Sequence, residues 1–179
     1  MYPAIHLGLV EYVKRNLRSR PNFLDLGCCY GLLGRRLIDK FDGEVPMCVG
    51  MDADAKVLVA ARNAGVEFAR LKLIHCPDIA MSCKLLKAVI EEYELEVVIA
   101  RRIFPELFGT DDRMRLAAPF FSALAESGIR EIFIQGRVKC AAATNSLPSV
   151  QSEVNTIMSL PANAWPKFEI VGPFAHLWN

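Results

Sequence analysis

The chain has 179 residues, of which 53% are hydrophobic and 23% charged, with a formal net charge of +1. That length is one domain's worth with a sizeable core, and so small a charge gives no field that would make nucleic acid or a membrane surface the default partner, without forbidding nucleic acid. The slight apolar excess favours a sheet covered on both faces, and no apolar run reaches membrane-spanning length.

In chain order, Ile5, Leu9, Val13 and Leu17 fall four apart with Val10 beside them, which predicts an amphipathic N-terminal helix over 4–18, within a leading segment of residues 1–20. The basic residues Lys14, Arg15, Arg18 and Arg20 follow the apolar ones, the reverse of a secretory signal, so the expected location is the cytoplasm. Pro21-Asn22 ends this helix. FLDL at 23–26 reads as a short buried strand, 30–41 as a helix, and PMCVGM at 46–51 as a second buried strand. Asp54 is placed to cap a helix over 55–63, with Gly65 just past its end. The alternation continues through a strand at 70–75, a helix at 81–93, a strand at 96–100, a helix at 111–127 closed by Gly128, and a strand at 130–135.

Such a series of short apolar strands and intervening helices implies a mostly parallel sheet, with right-handed crossovers placing helices on both faces. The end of the chain departs from this rhythm. After a loop at 136–149 and a helix at 150–160, KFEIV and AHLW are separated only by Gly172-Pro173-Phe174. So short a connection holds no crossover helix, and the last two strands are expected to be antiparallel neighbours. The expectation is one α/β domain over 1–179, seven-stranded and mostly parallel with an antiparallel C-terminal hairpin. The six cysteines, Cys28, Cys29, Cys48, Cys76, Cys83 and Cys140, show no C-x-x-C and no His-Cys cluster, so no metal is expected and they read as buried, reduced thiols.

In an open parallel sheet, ligands gather outside the carboxyl ends of the strands, so the turn after the first strand is the first candidate site. A dinucleotide would want G-x-G-x-x-G there. The best match is Cys29, Gly31 and Gly34, with the tight-turn glycine missing. Asp25, two residues before Gly27, puts a carboxylate where a pyrophosphate would be repelled and a cation favoured. Asp52, 21 positions after Gly31, sits where a carboxylate accepts hydrogen bonds from both hydroxyls of a ribose. Together they point to a nucleoside with a positive charge and no need of phosphate.

Here the sequence resembles the class I methyltransferases, whose Rossmann-like fold binds S-adenosylmethionine. Their signature is an acidic residue followed by glycines at alternate positions, and this chain reads Asp25-Leu26-Gly27-Cys28-Cys29-Tyr30-Gly31. The resemblance extends to VGMDAD, with Asp52 in the ribose position and Ala53 beside it, and to HCPDIA, where Asp78 and Ile79 match the loop that flanks the adenine. EVVIARRIFPEL resembles the fourth strand and its turn, and the closing hairpin completes the pattern. Cys29 replaces the middle glycine, at a position where only Gly27 is expected to need a left-handed turn.

Asp25 can also cap the amides of its own turn, and Asp78, after Pro77, can be a helix cap. Arg101 and Arg102 follow the fourth strand and read either as solvated loop charges or as clamps. Arg101 would then hold the carboxylate of the cofactor's methionine, and Arg102 an anionic group on the acceptor. Glu106 is the nearest acid to serve as a base, though carboxylates at helix starts are common. His6, His75 and His176 are scattered, no residue is assigned a catalytic role, and familiar signatures for nucleic-acid acceptors are missing.

The resemblance implies a methyltransferase acting on a small-molecule or other acceptor. Two alternatives stand beside it: a degenerate methyltransferase fold that binds the cofactor or a protein partner without turnover, and an NAD-binding enzyme, motivated by Gly31, Gly34 and Asp52.

Overall fold

A computed structural model describes residues 10–11, 13–15, 17, 20–41 and 46–135. From Asn22 on they form five strands and six helices: β1 (Asn22–Leu26), α1 (Leu32–Lys40), β2 (Cys48–Asp52), α2 (Ala55–Asn63), β3 (Leu71–His75), α3 (Cys83–Glu92), β4 (Leu95–Arg101), α4 (Phe104–Phe108), α5 (Asp111–Met114), α6 (Ala117–Glu126) and β5 (Glu131–Gln135). Residues 10, 11 and 13–15 are helical, within the span expected of an N-terminal helix. The loop at 136–149, the helix at 150–160 and the antiparallel hairpin expected from sequence lie outside the described residues.

The strands form one sheet in the order β3-β2-β1-β4-β5, and every pairing is parallel. The inner strands β1, β2 and β4 are almost continuously buried, whereas the edge strand β3 alternates. That is the pattern of a sheet covered on both faces at its centre and less so at its rim.

Successive side chains point to opposite faces. Phe23, Cys48, Leu73, Val97 and Ile99 therefore pack with α1 and α2, while Leu24, Leu26, Met51, Val98 and Ala100 pack with α3, α4 and α6. On the second face Phe104, Phe108, Phe120 and Phe121 form a block with ring centroids 5.3 to 5.9 Å apart, which seats the short α4 under the carboxyl end of β4.

The single helix expected over 111–127 is instead two, α5 and α6, broken at Arg115-Leu116. Pro119 explains the break: inside a continuous helix its ring would clash with the carbonyl of Arg115 and its missing N–H would leave a gap. Restarting at Ala117 places Pro119 in the first turn, where amide hydrogens have no intrahelical partner anyway. By contrast, Asp54 caps α2 as its position promised, accepting from the amides of Lys56 at 2.9 Å and Val57 at 3.2 Å.

Candidate ligand site at the carboxyl edge of the sheet

The strand order reverses at β1, whose neighbours β2 and β4 are reached by crossovers running in opposite directions. A cavity of about 420 Å3 opens there, within the range typical of small-ligand sites. Gly27, Asp52, Ala53, Asp78, Ile79, Arg101, Arg102 and Glu106 line it, together with Pro77, Ile103, Leu107 and Arg113.

Sheet register explains the arrangement. Leu26 pairs with Met51 on one side and Ala100 on the other, so Gly27 stands level with Asp52 and Arg101. A carboxylate and a guanidinium thus flank a residue with no side chain. Gly27 adopts a φ of 68°, which favours glycine, and a Cβ there would lie 2.7 Å from the Cδ1 of Ile103, whose side chain would have to shift to admit it.

Asp52 is held by its own backbone surroundings. Its Oδ2 accepts from the Cys29 amide at 2.7 Å and its Oδ1 from the Asp54 amide at 2.9 Å. Each oxygen retains a second acceptor position, so the carboxylate is fixed in orientation and still able to receive two donors.

Asp25 lies elsewhere than the sequence led one to expect. It does not line the cavity: it pairs with Gly50 and Ile99, one pleat below the level of Asp52 and Arg101, and is only 2% exposed. Its Oδ2 is buried without a hydrogen-bond partner. Burial is the main reason its pKa is pushed up to about 7; the Arg101 guanidinium and the Gly34 amide oppose the shift, and the Asp52 charge adds to it. The two carboxylates share a face of the sheet, but only Asp52 reaches the hollow.

The elbow also corrects one expectation. Gly27 is not alone in the left-handed region: Cys29 has a φ of 52° and Gly31 one of 70°. Cys29 therefore carries a side chain in a conformation that costs a non-glycine residue about 1 kcal/mol or more, and the short hydrogen bond from its amide to Asp52 holds it there. Cys28 points inward beneath Gly50, where burial drives its thiol pKa upward, while Cys29 and Tyr30 are exposed and Gly31 is buried. None of Cys28, Cys29, Tyr30 or Gly31 lines the cavity itself.

At the other end of the hollow, Asp78 is both a turn cap, accepting from the Met81 amide at 3.2 Å, and the partner of Arg113. Arg113 Nη1 donates to Asp78 Oδ2 at 3.0 Å and Nη2 to Oδ1 at 2.9 Å. Nothing in the sequence marked this residue, which lies 35 positions from its partner. Arg102, with a φ of 57°, donates its amide to the Gln135 carbonyl at 3.0 Å, and exposed Glu106 stands in the first turn of α4.

No protein-family model matches the chain, and no curated protein sequence matches it. Solved structures do. The methyltransferase domain of bacterial CtHen1 superposes with a TM-score of 0.57 at 15% identity, over 82% of this chain and 74% of that one. The fold is that of the class I methyltransferases. A SAM-dependent methyltransferase from Aquifex aeolicus matches with a TM-score of 0.52 at 12% identity, over 76% of this chain and 68% of that one. Magnesium protoporphyrin IX methyltransferase from Synechocystis PCC 6803, solved with bound SAH, matches with a TM-score of 0.51 at 15% identity, over 76% of this chain and 56% of that one. The chain spans only 40% of the plantazolicin methyltransferase BamL, so it covers less than half the length of some of the enzymes it resembles. Among the described residues of this methyltransferase-like fold, no helix is long and apolar enough to cross a membrane.

Proposed function

We propose that this chain is an S-adenosylmethionine-dependent methyltransferase whose cofactor occupies the cavity between β1, β2 and β4. The observation that carries the reading is the bare Gly27 elbow, set level between Asp52 and Arg101 at the point where strand order reverses. The residues fit such a ligand. The open acceptor positions of Asp52 suit the two ribose hydroxyls, and Asp78 with Ile79 suits the base. Arg101 suits the carboxylate of an amino acid, and the buried Asp25, once ionised above about pH 7, supplies a negative field below the floor, favourable to a cationic ligand.

When bound, S-adenosylmethionine supplies a methyl carbon already activated by a cationic sulfur. The chain's own contribution is then to orient the acceptor and exclude water, which by itself lowers such a barrier substantially. Arg102 and Glu106 border the cavity from the turn after β4, where they would meet the acceptor: Arg102 an anionic group, Glu106 a proton to be removed if the acceptor carries one.

Titration calorimetry with S-adenosylhomocysteine tests the binding half of this reading. Saturable heat is expected, and none at millimolar ligand would remove it. Incubation of extracts with the protein and radiolabelled S-adenosylmethionine tests the transfer half.

A second reading is favoured by one observation: Cys29 occupies a left-handed position in the elbow. On this reading the site binds cofactor without turnover, and clean binding with no labelled product would select it.

A further inference from the structure

The outer side of β3, where a neighbouring strand could lie, is covered by side chains instead. The Cys48 amide donates to the Arg70 carbonyl at 2.8 Å and the Cys76 amide to the Asp52 carbonyl at 2.9 Å, so residues 70 and 76 bond to β2. By the alternation of a parallel ladder Lys72 and Ile74 do the same, and Leu71, Leu73 and His75 turn their N–H and C=O groups outward. Leu71 meets a single antiparallel residue: its amide donates to the Phe68 carbonyl and the Phe68 amide to its own carbonyl, both at 3.1 Å. The next such pair would set Val66 opposite Leu73. The Val66 amide is already bonded at 3.0 Å to the Ala61 carbonyl in α2, so the backbone cover stops at Phe68.

At Leu73 an ion pair takes over. The Leu73 amide donates to Glu67 Oε1 at 3.3 Å, its carbonyl accepts from Arg62 Nη2, and Arg62 Nε donates to Glu67 Oε2 at 2.6 Å, which closes a ring. The pair thus offers Leu73 one donor and one acceptor, as a residue of an antiparallel neighbour would. His75, the third outward residue, has no such cover of its backbone among the described residues. Without the ion pair, two outward residues would lie bare on LKLIH, an apolar run of the kind that accepts a further strand.

We propose that the outer side of β3 is a docking surface for β3 of a second copy of this chain, and that the Arg62–Glu67 pair holds it shut. The spacing of the outward residues suits that partner. Two outward residues with one between them pair with themselves about a two-fold axis: Leu73 faces the partner's His75, His75 faces the partner's Leu73, and Ile74 meets its own copy. Such a contact forms about four hydrogen bonds. The ion pair prevails in the wild type because it is tethered beside Leu73, whereas a second copy gives up translational and rotational freedom to bind. None of this depends on what the cavity holds.

The test is sedimentation equilibrium of the full chain and of Arg62→Ala/Glu67→Ala, over concentrations from micromolar to millimolar. Whatever mass the wild type shows, the double variant should approach about twice that mass as concentration rises. Adding His75→Pro removes an outward N–H and leaves the bonds to β2 in place, so it should return the mass to the wild-type value. Hydrogen exchange of the wild type covers the case in which the double variant does not fold: the Leu73 amide, held by Glu67, should exchange about tenfold or more slowly than the outward His75 amide. Equal rates there would overturn the proposal. So would a folded double variant that keeps the wild-type mass throughout, or an association that His75→Pro leaves unchanged, since the contact would then lie on another surface.

Discussion

The two edges of the sheet treat their buried polar groups in opposite ways. At the amino edge, beside a hollow of about 440 Å3, the side-chain amide of Asn22 ties three segments together. Its Nδ2 donates to the carbonyls of Tyr93 at 2.9 Å and Glu94 at 3.3 Å, and its Oδ1 accepts from the Met47 amide at 2.9 Å. At the carboxyl edge, three residues along the same strand, Asp25 is more deeply buried and keeps an oxygen with no partner. The amino edge is not perfect, since the Ser127 hydroxyl also lacks a partner; but a neutral hydroxyl costs far less to bury than a carboxylate. Left-handed backbone occurs at both edges, at Gly27, Cys29, Gly31 and Arg102 on the carboxyl side and at Glu94 and Gly128 beside the amino-edge hollow. One edge is built to hold the fold, and the other keeps unmet polar capacity beside a cavity.

Changing Asp25 should give the largest effect. The unfolded chain loses this proton near pH 4, while the folded chain keeps it to about pH 7. The folded state therefore binds more protons across that window, and stability falls as pH rises through it, by up to about 1.4 kcal/mol per pH unit. Asp25→Asn removes that loss. Thermal melts should show the variant gaining on the wild type between pH 4 and pH 8, while calorimetry at pH 8 shows weaker binding of S-adenosylhomocysteine. Parallel pH dependence in the two proteins would mean that Asp25 is not the uncompensated group.

Asp52→Ala comes next, with an expected loss of about 2 to 4 kcal/mol in binding of S-adenosylhomocysteine by calorimetry. Its stability should fall less, because the amides of Cys29 and Asp54, which it now satisfies, can turn to solvent.

Asn22→Ala inverts the outcome. Urea unfolding should show a loss of about 2 kcal/mol, since three hydrogen-bonding backbone groups are left without their partner, with ligand affinity changed less than about twofold. If ligand affinity fell as much as stability, the two edges would not be separable.

Cys29→Gly is the smallest change and has the opposite sign. Relieving a left-handed cysteine should raise stability by about 1 kcal/mol, read as a higher melting temperature, with no loss of ligand binding. A decrease would show that the Cys29 side chain contributes packing that outweighs the strain.

Much of this molecule was written locally. Hydrophobic runs bounded by turn residues were enough to place the five strands within a residue or two, because a strand buried on both faces has no other use for such a run. Asp54 was recognisable as a cap because capping involves only the next few amides. Gly27, Asp52, Asp78, Arg101, Arg102 and Glu106 were legible as a group because strand tips in a parallel sheet necessarily share one edge.

What the sequence did not contain were quantities that depend on depth and on distant partners. Whether Asp25 faced the hollow or lay beneath it was decided by strand register, which sets a side chain one pleat higher or lower. Whether Cys29 needed a left-handed backbone was decided by the Asp52 oxygen it reaches on another strand. The Arg113–Asp78 fork joins residues 35 positions apart, and nothing local to either names the other. Composition and periodicity act over a few residues and determine which elements form. Only their packing fixes which charges are shielded, paired or left unmet, and those are the properties on which binding depends.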